Sequence, residues 1–231
     1  MSANHMLVFS GYFPGYVLEN CFGFAIVYQV WNGVLAAVFI TCFDTLFNGL
    51  AIFIVLRLKV LGKKFERFEE LCRTKSPKTV LRSLVIEHLD IIRFTENVNG
   101  ALKWYFFGDF LLKSYHISTV LIDLLLLDTF NIACIFSITR MIYLLSMVWC
   151  IYYNCNGIII ESENICHSVY YFSKWYNHSS EIKRTLSIIM TRSQKPLMIN
   201  IGNLDVMGNQ VFLKIIKAGY TFVITSLIFD K

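Results

Sequence analysis

The sequence predicts an all-α integral membrane protein: a helical bundle of four long helices, with a cytoplasmic helical layer and a broken last span. Three observations carry this. First, 56% of the 231 residues are hydrophobic and only 16% are charged, whereas soluble domains run at about 45–50% and about 25%. Second, the apolar residues are gathered in long runs. Residues 21–56 hold one ionisable carboxylate, Asp44, and no basic residue, and a bilayer span needs only about 20 such residues. Third, the basic charge is segregated. Residues 1–56 carry no Lys or Arg, and residues 57–103 carry eleven of the 21. Flanking loops rich in Lys and Arg stay on the cytoplasmic side, so the net charge of +5 reads as topology and not as a nucleic-acid footprint.

The elements follow in order as one membrane domain, 1–231. Residues 1–20 form an extracellular lead, with a turn at Phe13-Pro14-Gly15. Span A covers 21–56. As one helix it would reach about 54 Å, well past a core of about 30 Å, so it tilts and projects into the cytosol. Arg57, Lys59, Lys63, Lys64 and Arg67 fix its inner end. Residues 57–104 form a cytoplasmic segment. Phe65, Phe68, Leu71 and Cys72 keep helical spacing there, Pro77 breaks the helix, and Val80, Leu84, His88, Ile91 and Ile92 form a second stripe. His88 lies on the apolar face without a second metal-ligand residue at the required spacing, which favours a packed, neutral imidazole.

Span B covers 105–127. Asp109 and Lys113 stand four apart with the acid first, the order that favours an ion pair on a helix. An outer turn is expected over 128–140 and span C over 141–157, with Arg140 snorkelling to the interface. A second cytoplasmic segment covers 158–195, and its Asn177-His178-Ser179 sequon then escapes glycosylation. The final span, 196–229, is interrupted by Gly202, Asn203, Asp205, Gly208 and Asn209. It therefore reads as two helical pieces, with a C-terminus outside the cell. Within it Val211, Ile215, Ala218, Phe222, Thr225 and Phe229 recur at steps of three and four and share one stripe.

The chemistry is narrow. Seven Cys without a Cys-x-x-Cys pair suggest neither zinc nor redox work. A Cys21–Cys134 pairing is open, behind the reading of both as small apolar residues. Cys166 and His167 are adjacent and so face different ways on a helix. No nucleophile elbow, Walker loop or zincin helix is present. The sequence implies no enzyme, no cofactor and no metal site. A multispan transporter or membrane-embedded enzyme of similar composition is the alternative. It would need ionisable residues converging at mid-membrane.

Several stretches resemble one family. Cys155-Asn156-Gly157, Glu161-Ser162, Tyr170-Tyr171 and Trp175-Tyr176 resemble the pattern that leaves the sixth span of insect odorant receptors. Leu186 to Gly202, with Arg192-Ser193-Gln194-Lys195-Pro196-Leu197 inside it, resembles the entry to their seventh. Phe212-Leu213-Lys214-Ile215-Ile216-Lys217 and Tyr220-Thr221-Phe222 resemble their C-terminal helix. Tyr28-Gln29 and Asp44-Thr45-Leu46-Phe47 resemble their fourth span, and Phe13-Pro14 the outer loop before it. Each motif is weak alone, but their order across nearly the whole chain is specific.

The resemblance implies the fourth to seventh spans of a seven-span, odorant-gated, non-selective cation channel of the cell membrane, here a partial chain. It implies small volatile odorants and a co-receptor subunit in a heterotetramer as partners, besides the lipid bilayer, and no nucleic acid. It places the pore on the final helix. Thr225, Ile228 and Phe229 would then form an apolar gate near the outer end, closing by dewetting. An interfacial aromatic anchor at Phe229 is the competing reading. Lys214 and Lys217 would stand off the axis. The outer halves of spans A and C offer Phe24, Tyr28, Trp31, Asn32, Leu35, Tyr143 and Met147, an aromatic and Met wall suited to small apolar ligands. Lipid-facing or helix-packing aromatics would give the same pattern.

Overall fold

The computed structural model describes residues 22–74, 76–125 and 132–229, apart from the side chains of Ser226, Leu227 and Phe229. The extracellular lead, the turn at Phe13-Pro14-Gly15, Cys21 with its pairing, Asp128 and the side chain of Phe229 lie outside the described residues. The chain divides into two compact units, Met1–Phe47 and Asn48–Lys231.

The described part of the first unit is the N-terminal part of helix α1, Phe22–Glu66. Ala25 and Gln29, four apart, are buried on one face, and so are Asp44 and Phe47, three apart. At 45 residues, α1 reaches about 67 Å, twice a hydrocarbon core of about 30 Å. It therefore runs without a break through the expected boundary at residue 56. Lys63 and Lys64 occupy its last turn, where cations complement the exposed carbonyls.

The second unit starts within α1, at Asn48. A turn at Arg67 leads into α2, Phe68–Thr74. Phe65 and Phe68 are buried as expected, but Leu71 is 37% exposed and Cys72 is half-buried. The expected first stripe thus ends after two residues, where the chain turns towards Pro77.

Ser76 caps α3, Pro77–Leu125. Its carbonyl accepts from Thr79 and Val80 N–H at 3.0 and 3.1 Å, and Pro77 opens the helix where its missing N–H costs nothing. The second stripe is fully realised: Val80, Leu84, His88, Ile91 and Ile92 are all buried. Burial, with Arg192 nearby, lowers His88 to a pKa of about 4. The imidazole is therefore neutral at physiological pH and packs as an apolar ring. Helix α3 continues straight into span B, so the cytoplasmic segment and that span are one rod.

Helix α4, Ile132–Phe172, begins inside the segment read as the outer turn. Residues 132–140 carry no Gly or Pro, so nothing stops the helix from starting there. Arg140 faces Asp123 of α3 at 3.7 Å. The far end stops at Lys174, in the left-handed conformation at φ 45°. A 3₁₀ turn, Trp175–Asn177, leads to α5, Ser180–Ser193, which buries Ile182, Leu186 and Ile189.

The break in the last element is longer than the sequence suggested. Residues from Pro196 are not helical. They form a short antiparallel hairpin, β1 (Asn200–Ile201) and β2 (Asp205–Val206), with Asn200 opposite Val206. The first helical piece is α5, upstream of Pro196, and the second is α6, Asn209–Phe229. Pro196 lacks the N–H that would extend α5. Gly202 turns the hairpin at φ 55°, a conformation that suits glycine.

Helix α6 packs against α3 and α4, and α4 packs against α3 and α5. Among the described residues, α1 and α4 are long and apolar enough to cross a membrane. The three longest helices, of 45, 49 and 41 residues, are each longer than a bilayer core of about 30 Å requires.

Candidate ligand and pore faces

The residues expected to face a ligand fall into two groups. On α1, Phe24, Tyr28, Trp31 and Leu35 follow one another at steps of four, three and four. They are 65%, 52%, 63% and 39% exposed. Phe24 stacks on Tyr28 at 6.3 Å between ring centroids. Asn32 is exposed and donates its side-chain N–H to the Tyr28 carbonyl at 2.8 Å, so its amide is spent on its own helix. On α4, Tyr143 is exposed and Met147 half-buried. Each group is a largely exposed apolar surface.

The final helix divides into two faces. Val211, Ile215, Gly219 and Val223 form the buried one. The stripe expected from the sequence coincides with it only at Val211 and Ile215. Ala218, Phe222 and Thr225 are exposed. The cause is local. Gly219 lies so close to α3 that a side chain there would meet Ile117 at 3.0 Å, and this contact rotates the packed face one residue onward. Ser118 adds an O–H to the Gly219 carbonyl at 3.2 Å. Thr225 and Ile228 thus stand on the surface beside the packed stripe, the Thr225 hydroxyl donating to the Thr221 carbonyl at 2.8 Å. Lys214 pairs with Asp205 of the hairpin.

The hairpin ties this helix to the layer below. Gly202 N–H donates to the Lys103 carbonyl at 2.7 Å and Asn200 N–H to Asn99 Oδ1 at 2.7 Å. Leu197 N–H donates to Ser162 Oγ at 3.0 Å. A Cβ on Gly202 would touch Trp104 and Phe107 at 3.3 Å, so glycine also permits this close approach. These contacts fix the start of α6 against α3 and α4. Sequence reading missed Asn99 and gave Ser162 only as part of a family motif, without the role of its hydroxyl; each is a small polar residue on an otherwise apolar helix face.

The layer itself is laced by charge. Lys64 meets Glu87 at 2.7 Å, Lys59 meets Glu161 at 3.6 Å, His178 meets Glu69 at 2.9 Å and Arg192 meets Glu96 at 3.8 Å. Deeper in the bundle, Asn154 donates to Asn48 at 2.6 Å. Asp109 and Lys113 form an ion pair at 2.8 Å, their side chains only 14% and 10% exposed. Both side chains are thus held largely away from solvent. No group of three metal-ligating side chains occurs among the described residues.

The family described as 7tm odorant receptor matches residues 2–220. Odorant receptor 10 of Aedes albopictus is 24% identical over 184 residues, covering 78% of this chain and 48% of that protein. Odorant receptor 67a of Drosophila melanogaster is 31% identical over 123 residues, 52% of this chain and 29% of that one. The insect olfactory receptor OR5 from Machilis hrabei, solved in complex with eugenol, shares the fold at a TM-score of 0.78 and 23% identity. It covers 94% of this chain, which covers 55% of it. The chain spans about half the length of the curated relatives it matches.

Proposed function

Because the chain belongs to the 7tm odorant receptor family, among receptors and not enzymes, we propose that its long helices serve as the last four spans of an odorant-gated, non-selective cation channel subunit. The subunit acts with a co-receptor in a heterotetramer in the cell membrane. The supporting observation is the division of α6. A pore-lining helix must pack on its own subunit and still present a face to the axis. Val211, Ile215, Gly219 and Val223 do the first, and Thr225 and Ile228 are available for the second. In this reading the C-terminus is extracellular and both basic segments are cytoplasmic.

The ligand is a small volatile odorant. The Machilis hrabei receptor was solved with eugenol, a small aromatic molecule, and the exposed aromatics of α1 and α4 suit that chemical class. Phe24, Tyr28, Trp31, Asn32 and Leu35 form one ligand-facing surface, and Tyr143 with Met147 forms another. In a receptor carrying this chain, expressed with a co-receptor, Tyr28→Ala and Tyr143→Ala are expected to shift half-maximal odorant concentrations by about tenfold, equivalent to ~1.4 kcal/mol. Surface delivery stays unchanged. Identical odorant ranking in both variants would assign these aromatics to lipid or helix contacts.

The gate is read from Thr225, Ile228 and Phe229. A ring of apolar side chains closes a path by dewetting. Cysteine at each position is expected to raise resting leak, alter ion preference or confer block by thiol reagents. Unaltered currents and no block at all three positions would move the pore elsewhere.

A further inference from the structure

Ser76 is the one serine or threonine of the chain that a proline follows. Arg73 stands three residues before it, Pro77 directly after it, and Lys78 next. Arg73, Ser76 and Lys78 are all exposed. Helix capping explains a serine here, but not this basic setting. The side chain is also barely used by the cap. The Ser76 carbonyl takes the Thr79 and Val80 N–H groups, whereas its hydroxyl stands 3.4 Å from Thr79 N and shares a 2.9 Å bond with Thr79 Oγ1. An enzyme can therefore take the hydroxyl without dismantling the start of α3. The chain before it opens at little cost. Helix α2 has seven residues and buries Phe68 alone, and an element with so few buried contacts opens locally well before the whole unfolds.

We propose that Ser76 is a phosphorylation site for a proline-directed protein kinase. Such an enzyme reads an extended segment, and Pro77 already holds the residue before it out of the helical region. Arg73 and Lys78 supply the charge that an acidic cleft selects. Ser76 Oγ attacks the γ-phosphorus of ATP and passes its proton to the kinase's catalytic carboxylate. The bond to the β-phosphate oxygen breaks, and its electron pair leaves with ADP. The product carries a charge of about −1.5 to −2 at neutral pH, two positions from Lys78. That lysine meets Glu181 of α5 at 2.5 Å, with both side chains well exposed. Their contact closes one end of a groove of about 360 Å³ between α3 and α5. A phosphate outcompetes a carboxylate for the one ammonium and repels Glu181 as well. Phosphorylation thus loosens the first turn of α5 from α3, while α3 itself accepts a negative charge in its first turn. The site rests on the topology proposed above, which puts this segment in the cytosol with ATP.

The test needs neither odorant nor current. The chain is purified in detergent, given ATP and a cyclin-dependent kinase, and its peptides are mapped by mass. One phosphate is expected on Ser76 and none there in Ser76→Ala. Pro77→Ala keeps the hydroxyl and should slow incorporation several-fold, as should Arg73→Gln, whereas Ser179→Ala should not. Should Ser76→Ala fail to elute as a folded species, Pro77→Ala carries the test. Amide exchange then reads the consequence: residues 181–184 should exchange faster once Ser76 is phosphorylated. Lys78→Gln should speed the same amides without phosphate, and phosphorylating that variant should add little more. An unmodified Ser76, or equal incorporation in Pro77→Ala, overturns the proposal. Unchanged exchange in the phosphorylated chain overturns its effect on α5. The same peptide is finally mapped from intact cells expressing a receptor that carries this chain, where the phosphate is again expected on Ser76. Modification in detergent but not in cells overturns the site, and a glycan on Asn177 in those cells would trace that failure to the topology.

Discussion

Replacing Lys113 with Ala is expected to abolish most surface delivery of a receptor carrying this chain. Lys113 Nζ lies 2.8 Å from Asp109 Oδ2, and the two side chains are only 10% and 14% exposed. Forming such a pair gains little over an apolar core, because each ion first loses its hydration. Breaking it is another matter. Removing one partner leaves a buried charge that has lost its bonded counter-ion, at a cost of about 3–5 kcal/mol. A domain's whole stability is only about 5–15 kcal/mol. The change D109N/K113M removes both charges at nearly constant volume and is expected to recover much of the loss. Detergent-solubilised protein should show the same order in melting temperature: unaltered chain, double variant, Lys113→Ala. If the single and double variants melt together, the pair is not what holds α3 in place.

That pair shows how far the sequence could be read. The i,i+4 spacing of Asp109 and Lys113 announced the bond, because a helix brings those positions onto one face whatever surrounds it. Their burial was not legible, since it depends on α4 and α6 packing over α3 from distant parts of the chain. The same division holds elsewhere. The stripe from Val80 to Ile92 was readable because periodicity alone defines it, and so was the break at Pro77. Two of the five described residues of the expected final-helix stripe, Val211 and Ile215, are packed. Periodicity gave a face of correct width, but the tight approach of Gly219 to Ile117 decided which edge of it is packed. The hairpin at Asn200–Val206 left almost no trace. Its Gly, Asn and Asp residues signal a turn, yet its docking on Asn99 and Ser162 is a tertiary fact. The aromatic positions from Phe24 to Leu35 were legible as one surface and their exposure agrees with that.

The second large effect is expected at Gly219. A Cβ there would stand 3.0 Å from Ile117 Cγ2 and 3.6 Å from the Ser114 carbonyl, on the face where α6 meets α3. Ile117 is 2% exposed and has no empty space to enter. Valine at 219 therefore has to push the helices apart, and overpacking of this kind costs about 1–3 kcal/mol. It would also stretch the bond from Ser118 Oγ to the Gly219 carbonyl, now 3.2 Å, and disturb the edge contact of Tyr115 with Phe222 at 6.1 Å. Thr225 lies less than two turns further along the same helix, so a tilt at Gly219 re-aims the exposed face that carries the proposed gate. Gly219→Val is expected to lower thermal stability and, in protein that reaches the surface, to raise resting leak. Gly219→Ala should fall between it and the unaltered chain, because one methyl needs only a few tenths of an ångström. Ile117→Ala removes the obstructing Cγ2. Combined with Gly219→Val it should cost clearly less than the sum of the two single changes, since contacting residues are not additive. A strictly additive double variant, or a valine variant that melts and conducts like the unaltered chain, would show that α6 is held by contacts other than this close crossing.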